Sequence, residues 1–231
     1  MIAMIISAVV AAVQGIGGPS EERTADIECV YEYRTSDDKG REDVYSTILQ
    51  VGKRSAKFVD YSTFQLDSAR TSGASEDQVE AFRLREEKKA QYFDYAIFQN
   101  EPAGNMTVYG TIIPDRYSYT EDSKAMKWTL ADDEKTICGY QCHKAECEYG
   151  GRKWTAWYSQ DIPGSYGPWK LCGLPGLILA AEDSDGANKF EAIILRNGAS
   201  AITPVSDKNI TTTTREKFVK AKNMFESDPM G

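Results

Sequence analysis

The chain carries one histidine, His143, and five cysteines, Cys29, Cys138, Cys142, Cys147 and Cys172. These residue types supply much of the nucleophilic and metal chemistry of proteins, and each chemistry has its spacing. A thiol enzyme needs a cysteine and a histidine within hydrogen-bond reach. Cys142 directly precedes His143, so in a strand the two point to opposite faces. Cys147 shares the face of His143 but lies four residues on, about 13 Å along an extended chain. A different cysteine, such as Cys29 or Cys172, is left to approach His143 in space. The run Cys138-x3-Cys142-x4-Cys147 is poor zinc spacing, and a strand spreads such ligands further. "EDSDG" at 182–186 has the oxygens calcium prefers, without the spaced ligand set of an EF-hand loop, and reads as a hairpin turn. There is no Gly-rich phosphate loop, serine-nucleophile motif or H-E-x-x-H. Aspartate and glutamate total 35, so a carboxylate or thiol enzyme stays open as an alternative with no pair singled out. No catalytic residue, metal ligand or cofactor is assigned.

Aromatic residues are the stronger lead. Trp154, Trp157, Tyr158, Tyr166 and Trp169 gather within sixteen residues, interleaved with the turns Ile162-Pro163-Gly164, Gly167-Pro168 and Leu174-Pro175-Gly176. Such a cluster is either a packed core or a docking face, where rigid rings provide contact area at low entropic cost. The candidate binding residues are Trp154, Trp157, Tyr158, Pro163, Pro168, Trp169, Leu174, Leu177 and Leu179.

The elements that must position these residues read mostly as strands. "DIECVYEYRT" alternates, with Ile27, Cys29, Tyr31 and Tyr33 on one face. "EDVYSTILQVG" and "SAKFVDYSTF" read as two more strands. "SEDQVEAFRLREEKKAQ" (75–91) changes to a helix, opened by a Ser75/Gln78 capping box and lying on the surface. Strand composition returns in "YFDYAIFQN", "NMTVYGTII" and "RYSYTED". Asp132-Asp133 reads as a turn between two further strands. "TTTTREKFVKAKNMF" reads as a threonine-capped helix with Phe218, Ala221 and Phe225 on one face.

The hairpin around Gly150-Gly151 can be computed. A two-residue turn pairs Tyr149 with Arg152, Cys147 with Trp154, Ala145 with Ala156 and His143 with Tyr158 on an apolar face. Glu148 with Lys153, Glu146 with Thr155 and Lys144 with Trp157 fall on the charged face. In this register Cys142 and Cys147 are about 17 Å apart on opposite faces, beyond the roughly 7 Å a disulfide tolerates between α-carbons. At most two disulfides can form among five cysteines. Cys142 with Cys172, or Cys29 with another core-facing cysteine, remain open.

"KLCGLPGLIL" (170–179) writes a rigid corner into an apolar strand. Pro175 followed by Gly176 predicts a type II turn. Leu177 to Ala181 lack polar alternation, so that strand is buried on both faces or lines something apolar.

A formal charge of −8 and a pI of about 4.9 argue against a nucleic-acid partner, which requires a basic stripe. "MIAMIISAVVAAVQG" (1–15) is apolar and uncharged, too short for a stable membrane span, and fits the core of a signal peptide. Residues 16–25 read as a flexible lead-in, and 26–231 as one strand-rich domain.

The stretch "GYQCHKAECEYGGRKWTAWYSQDIPGSYGPWKLCGLPGLIL" resembles the GLPGLI family proteins of Bacteroidetes. The likeness rests on Gly139-Tyr140, Cys142, Lys144-Ala145, Arg152, Trp154, Ala156 to Tyr158, Ile162-Pro163, Gly167-Pro168 and the motif Gly173, Leu174, Pro175, Gly176, Leu177, Ile178. Trp169 and Cys172 depart from the family pattern. The resemblance implies export to the periplasm or envelope of a Gram-negative bacterium and an uncharacterised activity, with no catalytic residue to carry over. It also implies a mainly β (α+β) fold: a curved antiparallel sheet or half-barrel with one or two packed helices, as in periplasmic lipoprotein carriers. The expected role is non-enzymatic binding of an apolar small molecule or lipid through the aromatic side of that sheet. The alternative partner is an outer-membrane receptor of the TonB-dependent type, docked on the Pro-Gly loops.

Overall fold

The computed structural model describes residues 23–37, 39–86, 93–205 and 209–228. The apolar segment 1–15 and most of the lead-in 16–25 lie outside them. The strands are β1 (Ile27–Ser36), β2 (Glu42–Val51), β3 (Ala56–Asp60), β4 (Tyr95–Gln99), β5 (Asn105–Ile112), β6 (Asp115–Asp122), β7 (Thr129–Ile137), β8 (Tyr140–Tyr149), β9 (Arg152–Ser159), β10 (Leu177–Asp183), β11 (Asn188–Asn197) and β12 (Ile210–Thr212). They form one sheet in the order β12-β6-β5-β4-β3-β2-β1-β11-β10-β9-β8-β7. Every pairing is antiparallel except β12 with β6. Among the described residues three α-helices accompany it: α1 (Tyr61–Thr71), α2 (Glu76–Glu86) and α3 (Arg215–Ser227).

The sheet is strongly curved. Tyr149 at the end of β8 donates a 3.1 Å hydrogen bond to Glu121 at the end of β6. Nine strand spacings separate β6 from β8. In a flat sheet that is about 43 Å at roughly 4.8 Å per strand. The sheet therefore curls into the expected half-barrel, with β12 and β7 as its free edges. The main core fills the concave side, from Tyr31, Leu49 and Phe58 to Trp154, Tyr158 and Phe190. On the convex side Val30, Ile48 and Val59 pack against Phe64 of α1.

The Gly150-Gly151 hairpin pairs in the expected register, from Tyr149 with Arg152 to His143 with Tyr158. Both glycines have positive φ, 64° and 79°, as a two-residue turn of type I′ requires. The capping box also forms: Ser75 N–H donates to Gln78 Oε1 and Gln78 N–H to Ser75 Oγ. Thr214 caps α3 through Lys217 N–H. Phe218 is buried in that helix, Phe225 is half-buried and Ala221 is exposed.

Four local expectations are corrected. The segment read as strand through "YSTF" turns helical at Tyr61, because the Asp60 side chain accepts from Ser62 N–H at 2.8 Å and caps α1. Asp132-Asp133 is no turn. β7 runs on through a register irregularity between Leu130 and Glu134, and the chain reverses at Cys138-Gly139, with φ of 50° and 82°. Residues 210–212 form a strand ahead of the last helix. At Pro175 the bond runs from Gly176 N–H to the Leu174 carbonyl (2.9 Å), closing a three-residue turn rather than a type II turn.

Candidate functional site

The chain between β9 and β10 (160–176) folds inward over the concave face. Ile162 and Tyr166 accept hydrogen bonds from Leu177 and Ile178, and Gly173 donates to Ser165. Gln99, fully buried on β4, clamps this segment. Its amide donates to the carbonyls of Gly167 (2.8 Å) and Trp169 (2.7 Å), and its oxygen accepts from Gly167 N–H. Two constraints explain the glycines. A Cβ on Gly176 would lie 2.1 Å from the Ser159 carbonyl oxygen, and one on Gly167 would lie 2.7 Å from Ile178 Cβ. Trp169 is held at φ of 53°, an uncommon conformation for a bulky residue.

The unbroken apolar run of β10 has a physical cause. The β9–β10 register shifts between Ile178 and Ala180, so Leu179 sits in a bulge. Leu177 to Ala181 all join the main core as a result. The Tyr31 hydroxyl reaches across to donate to the Ile178 carbonyl at 2.6 Å.

A cleft of about 460 Å³ remains between the concave face and α3. Tyr33, Phe93, Trp154, Trp169, Phe190 and Phe218 form its aromatic walls. The rings make a continuous row from β1 over β11 and β9 to the inserted segment. Tyr33 stacks on Phe190 at 4.3 Å, Phe190 meets Trp154 at 6.4 Å, and Trp154 meets Trp169 at 5.6 Å. Phe218 fits because β5 has glycine opposite it; a Cβ on Gly110 would come within 2.6 Å of the ring.

Cations border the same cleft: Arg152, Lys170, Arg215 and Lys222. Arg152 donates to buried Asp183 at 2.6 Å. Lys170 is nearly enclosed, bonded to Tyr119 Oη (2.9 Å) and to Glu121, with its ammonium over the Trp169 ring. Burial lowers the Lys170 pKa and Glu121 opposes that shift. Arg215 Nε lies 3.3 Å from the same Glu121 carboxylate. Lys222 stands 3.6 Å from Asp94.

The sequence candidates divide between four surroundings. Trp154 and Trp169 line the α3 cleft. Pro163 is exposed and lines a second cleft on the other side of the 160–176 segment. Trp157 is on the opposite face of β9, half-buried, with Lys135 4.4 Å from its ring. Pro168, Tyr158, Leu174, Leu177 and Leu179 are packed into the core and line neither cleft. The inserted segment and the bulge fill the space they were expected to border. Arg152 and Lys170 are within the recognised stretch, Arg152 read only as a hairpin and motif position and Lys170 given no role. Phe190 was detectable as an inward position of "NKFEA". Tyr33, Phe93, Arg215 and Lys222 come from distant segments that only the curl brings together.

The comparisons with known proteins bear on this stretch and on the fold. A family described as "Protein of unknown function (Porph_ging)" matches residues 150–180. That match covers the hairpin end, β9 and the inserted segment into β10. The fold is similar to PNGF-II, solved in space groups P21 and C2, with a TM-score of 0.57 and 14% identity in each. The alignments cover 86% and 87% of this chain, and 33% and 32% of PNGF-II. This chain thus spans about a third of that protein's length, and at such identity the likeness shows the fold alone. The overlap with the LolA superfamily protein NE2245 from Nitrosomonas europaea is slight, with a TM-score of 0.30 and 9% identity over 80% of this chain and 89% of that one. No curated protein matches.

The residues that could have done covalent chemistry lie apart. His143 Nδ1 is 3.3 Å from Glu134 across β7, and no cysteine sulfur is within hydrogen-bond distance of it among the described residues. All five thiols are free, so neither of the disulfides left open is formed. Burial pushes Cys29 and Cys172 up to about 12 and Cys142 and Cys147 up to about 11. Asp183, in the loop weighed for calcium, accepts from Arg152 and from the backbone and side chain of Asn188, which ties the β10–β11 turn together. No group of three or more metal-ligating side chains converges among the described residues. Nor is any described helix long and apolar enough to cross a membrane.

Proposed function

We propose that the chain is a non-enzymatic binding module that takes an apolar ligand into the cleft under α3. The supporting observation is the aromatic row Tyr33, Phe190, Trp154 and Trp169, which leaves an open volume of about 460 Å³ beneath a helix. That volume falls within the roughly 300–1,000 Å³ of small-molecule sites, which pair apolar walls with a few polar groups. Arg152, Arg215 and Lys222 at the border are each paired with a carboxylate, Asp183, Glu121 and Asp94, so the apolar walls carry the recognition. Resemblance to the GLPGLI proteins adds the setting: export through residues 1–15, a lead-in to residue 25, and one domain over 26–231 in the envelope of a Bacteroidetes-type bacterium.

Mass spectrometry of the full chain purified from a bacterial host tests the reading. A co-purifying lipid or other apolar adduct is expected, and the Asn223→Trp variant, which fills the cleft mouth from exposed α3, should lose it. Wild-type protein that carries no adduct, and that fails to bind the apolar acid 1-anilinonaphthalene-8-sulfonate saturably, would refute it.

A further inference from the structure

A second cleft, of about 720 Å³, opens on the other side of the 160–176 segment. Its walls combine Ile27, Val51, Met126, Pro163 and Tyr166 with the polar groups of Asn100, Ser123 and Ser165. Three lysines, Lys53, Lys124 and Lys127, face one acid, Asp26, in the lining. Among the described residues no carboxylate is within ion-pair distance of any of the three.

Such an arrangement is against the trend of a chain with a net charge of −8. Like charges gathered about one concavity repel one another, and low-dielectric walls concentrate their field. The lysines come from two separate segments, both fixed by hydrogen bonds. The β2–β3 turn that bears Lys53 is closed by Gly52 N–H to the Ser55 carbonyl, and Asn100 holds the neighbouring Arg54 carbonyl at 2.6 Å. The segment bearing Lys124 and Lys127 is anchored by Ser123, whose hydroxyl and N–H both donate to the Gly104 carbonyl. Asp122 also accepts from Lys124 N–H at 2.8 Å. The backbone is set, and among the described residues the three ammonium groups form no ion pair.

We infer that this cleft is a second binding site, distinct from the aromatic one, for a small ligand bearing two or more oxyanion groups, phosphate or carboxylate. Its apolar wall at Tyr166 and Pro163 would seat the body of that ligand, and the three lysines its charges.

Trp128 reports on the site, since its indole N–H donates to the Cys172 carbonyl at 2.8 Å and Cys172 lines the cleft. The full chain is titrated at low salt with inorganic pyrophosphate and, separately, with citrate, and the tryptophan indole resonances are followed by NMR. Saturable movement of the Trp128 signal is expected while Trp154 and Trp169 stay still. The stronger of the two probes identifies the oxyanion type. K53Q/K124Q/K127Q should weaken binding at least tenfold. The charge-matched control K39Q/K153Q/K217Q, at three exposed lysines outside the lining, should bind as wild type does. No saturable shift with either probe, equal weakening in the control, or movement of Trp154 and Trp169 in place of Trp128 would each overturn the inference.

Discussion

Tyr149 donates a hydrogen bond to Glu121 although nine strand spacings separate their strands in the sheet. Glu121 also takes buried Lys170 and lies 3.3 Å from Arg215 of α3. One carboxylate thus joins the two arms of the half-barrel, the inserted 160–176 segment and the helix that roofs the aromatic cleft.

Removing that carboxylate should cost more than removing the lysine. Glu121→Gln leaves the Lys170 ammonium buried without a counter-charge, and breaking a buried pair this way costs about 3–5 kcal/mol. Lys170→Met leaves Glu121 with Tyr149 and Arg215, so its cost should be smaller. Urea unfolding of the two variants checks the order.

Gly176→Ala should be among the most damaging single substitutions. The added Cβ would stand 2.1 Å from a backbone oxygen of β9, at a residue with φ of 148°. Backbone cannot retreat as a flexible side chain can, so a loss of about 3 kcal/mol or more is expected. Gly40→Ala has a positive φ and open space around it, and should cost only about 1 kcal/mol. Thermal melts of both variants separate crowding from conformation.

Acid should weaken the fold through Glu28. Burial alone would raise its pKa, but hydrogen bonds from Ser200 and Arg196 and the Arg196 charge outweigh burial and hold it below the ordinary value. The native state therefore binds fewer protons than the unfolded chain around that pKa. This contribution is present above the unfolded pKa, near 4.5, and is lost as pH falls through the folded value. Glu28→Gln should be less stable than wild type at pH 7, with the difference shrinking below that range, as melting temperature against pH would show.

Cys138 should be the first thiol alkylated in the native protein. It is the exposed cysteine, whereas the other four are buried with pKa values pushed up to about 11 or 12. Iodoacetamide at pH 8, read by peptide mass spectrometry, should mark Cys138 before unfolding and all five cysteines after it. Prior native labelling of Cys172 would contradict the packing described.

Local patterns were legible where one strand's alternation settled the matter. The Gly150-Gly151 register followed from keeping Trp154 and Tyr158 apart from Lys153 and Thr155. The Ser75/Gln78 box and the capping threonine of α3 were readable for the same local reason. The rest depends on distant neighbours. Asp60 caps α1 and also binds Phe93 N–H at 3.0 Å, a partner 33 residues away. Gly176 is required by Ser159, and the Leu179 bulge by the β9 register. The aromatic cleft depends on the curl that sets α3 opposite Trp154 and Phe190. Sequence reasoning gathered Trp154 and Trp169, which line the cleft, together with Trp157 and Tyr158, which do not, and set Leu174, Leu177 and Leu179 beside them, since an apolar strand and an apolar lining are written alike.

The four tryptophans provide the most direct test of the aromatic cleft. Trp154 and Trp169 line it, Trp128 is by the lysine cleft, and Trp157 is on the far face of β9. In an NMR titration with 1-anilinonaphthalene-8-sulfonate, the indole signals of Trp154 and Trp169 should move together and saturate, with Trp157 unmoved. Binding that leaves Trp154 and Trp169 in place, or that shifts all four alike, would contradict a ligand site under α3.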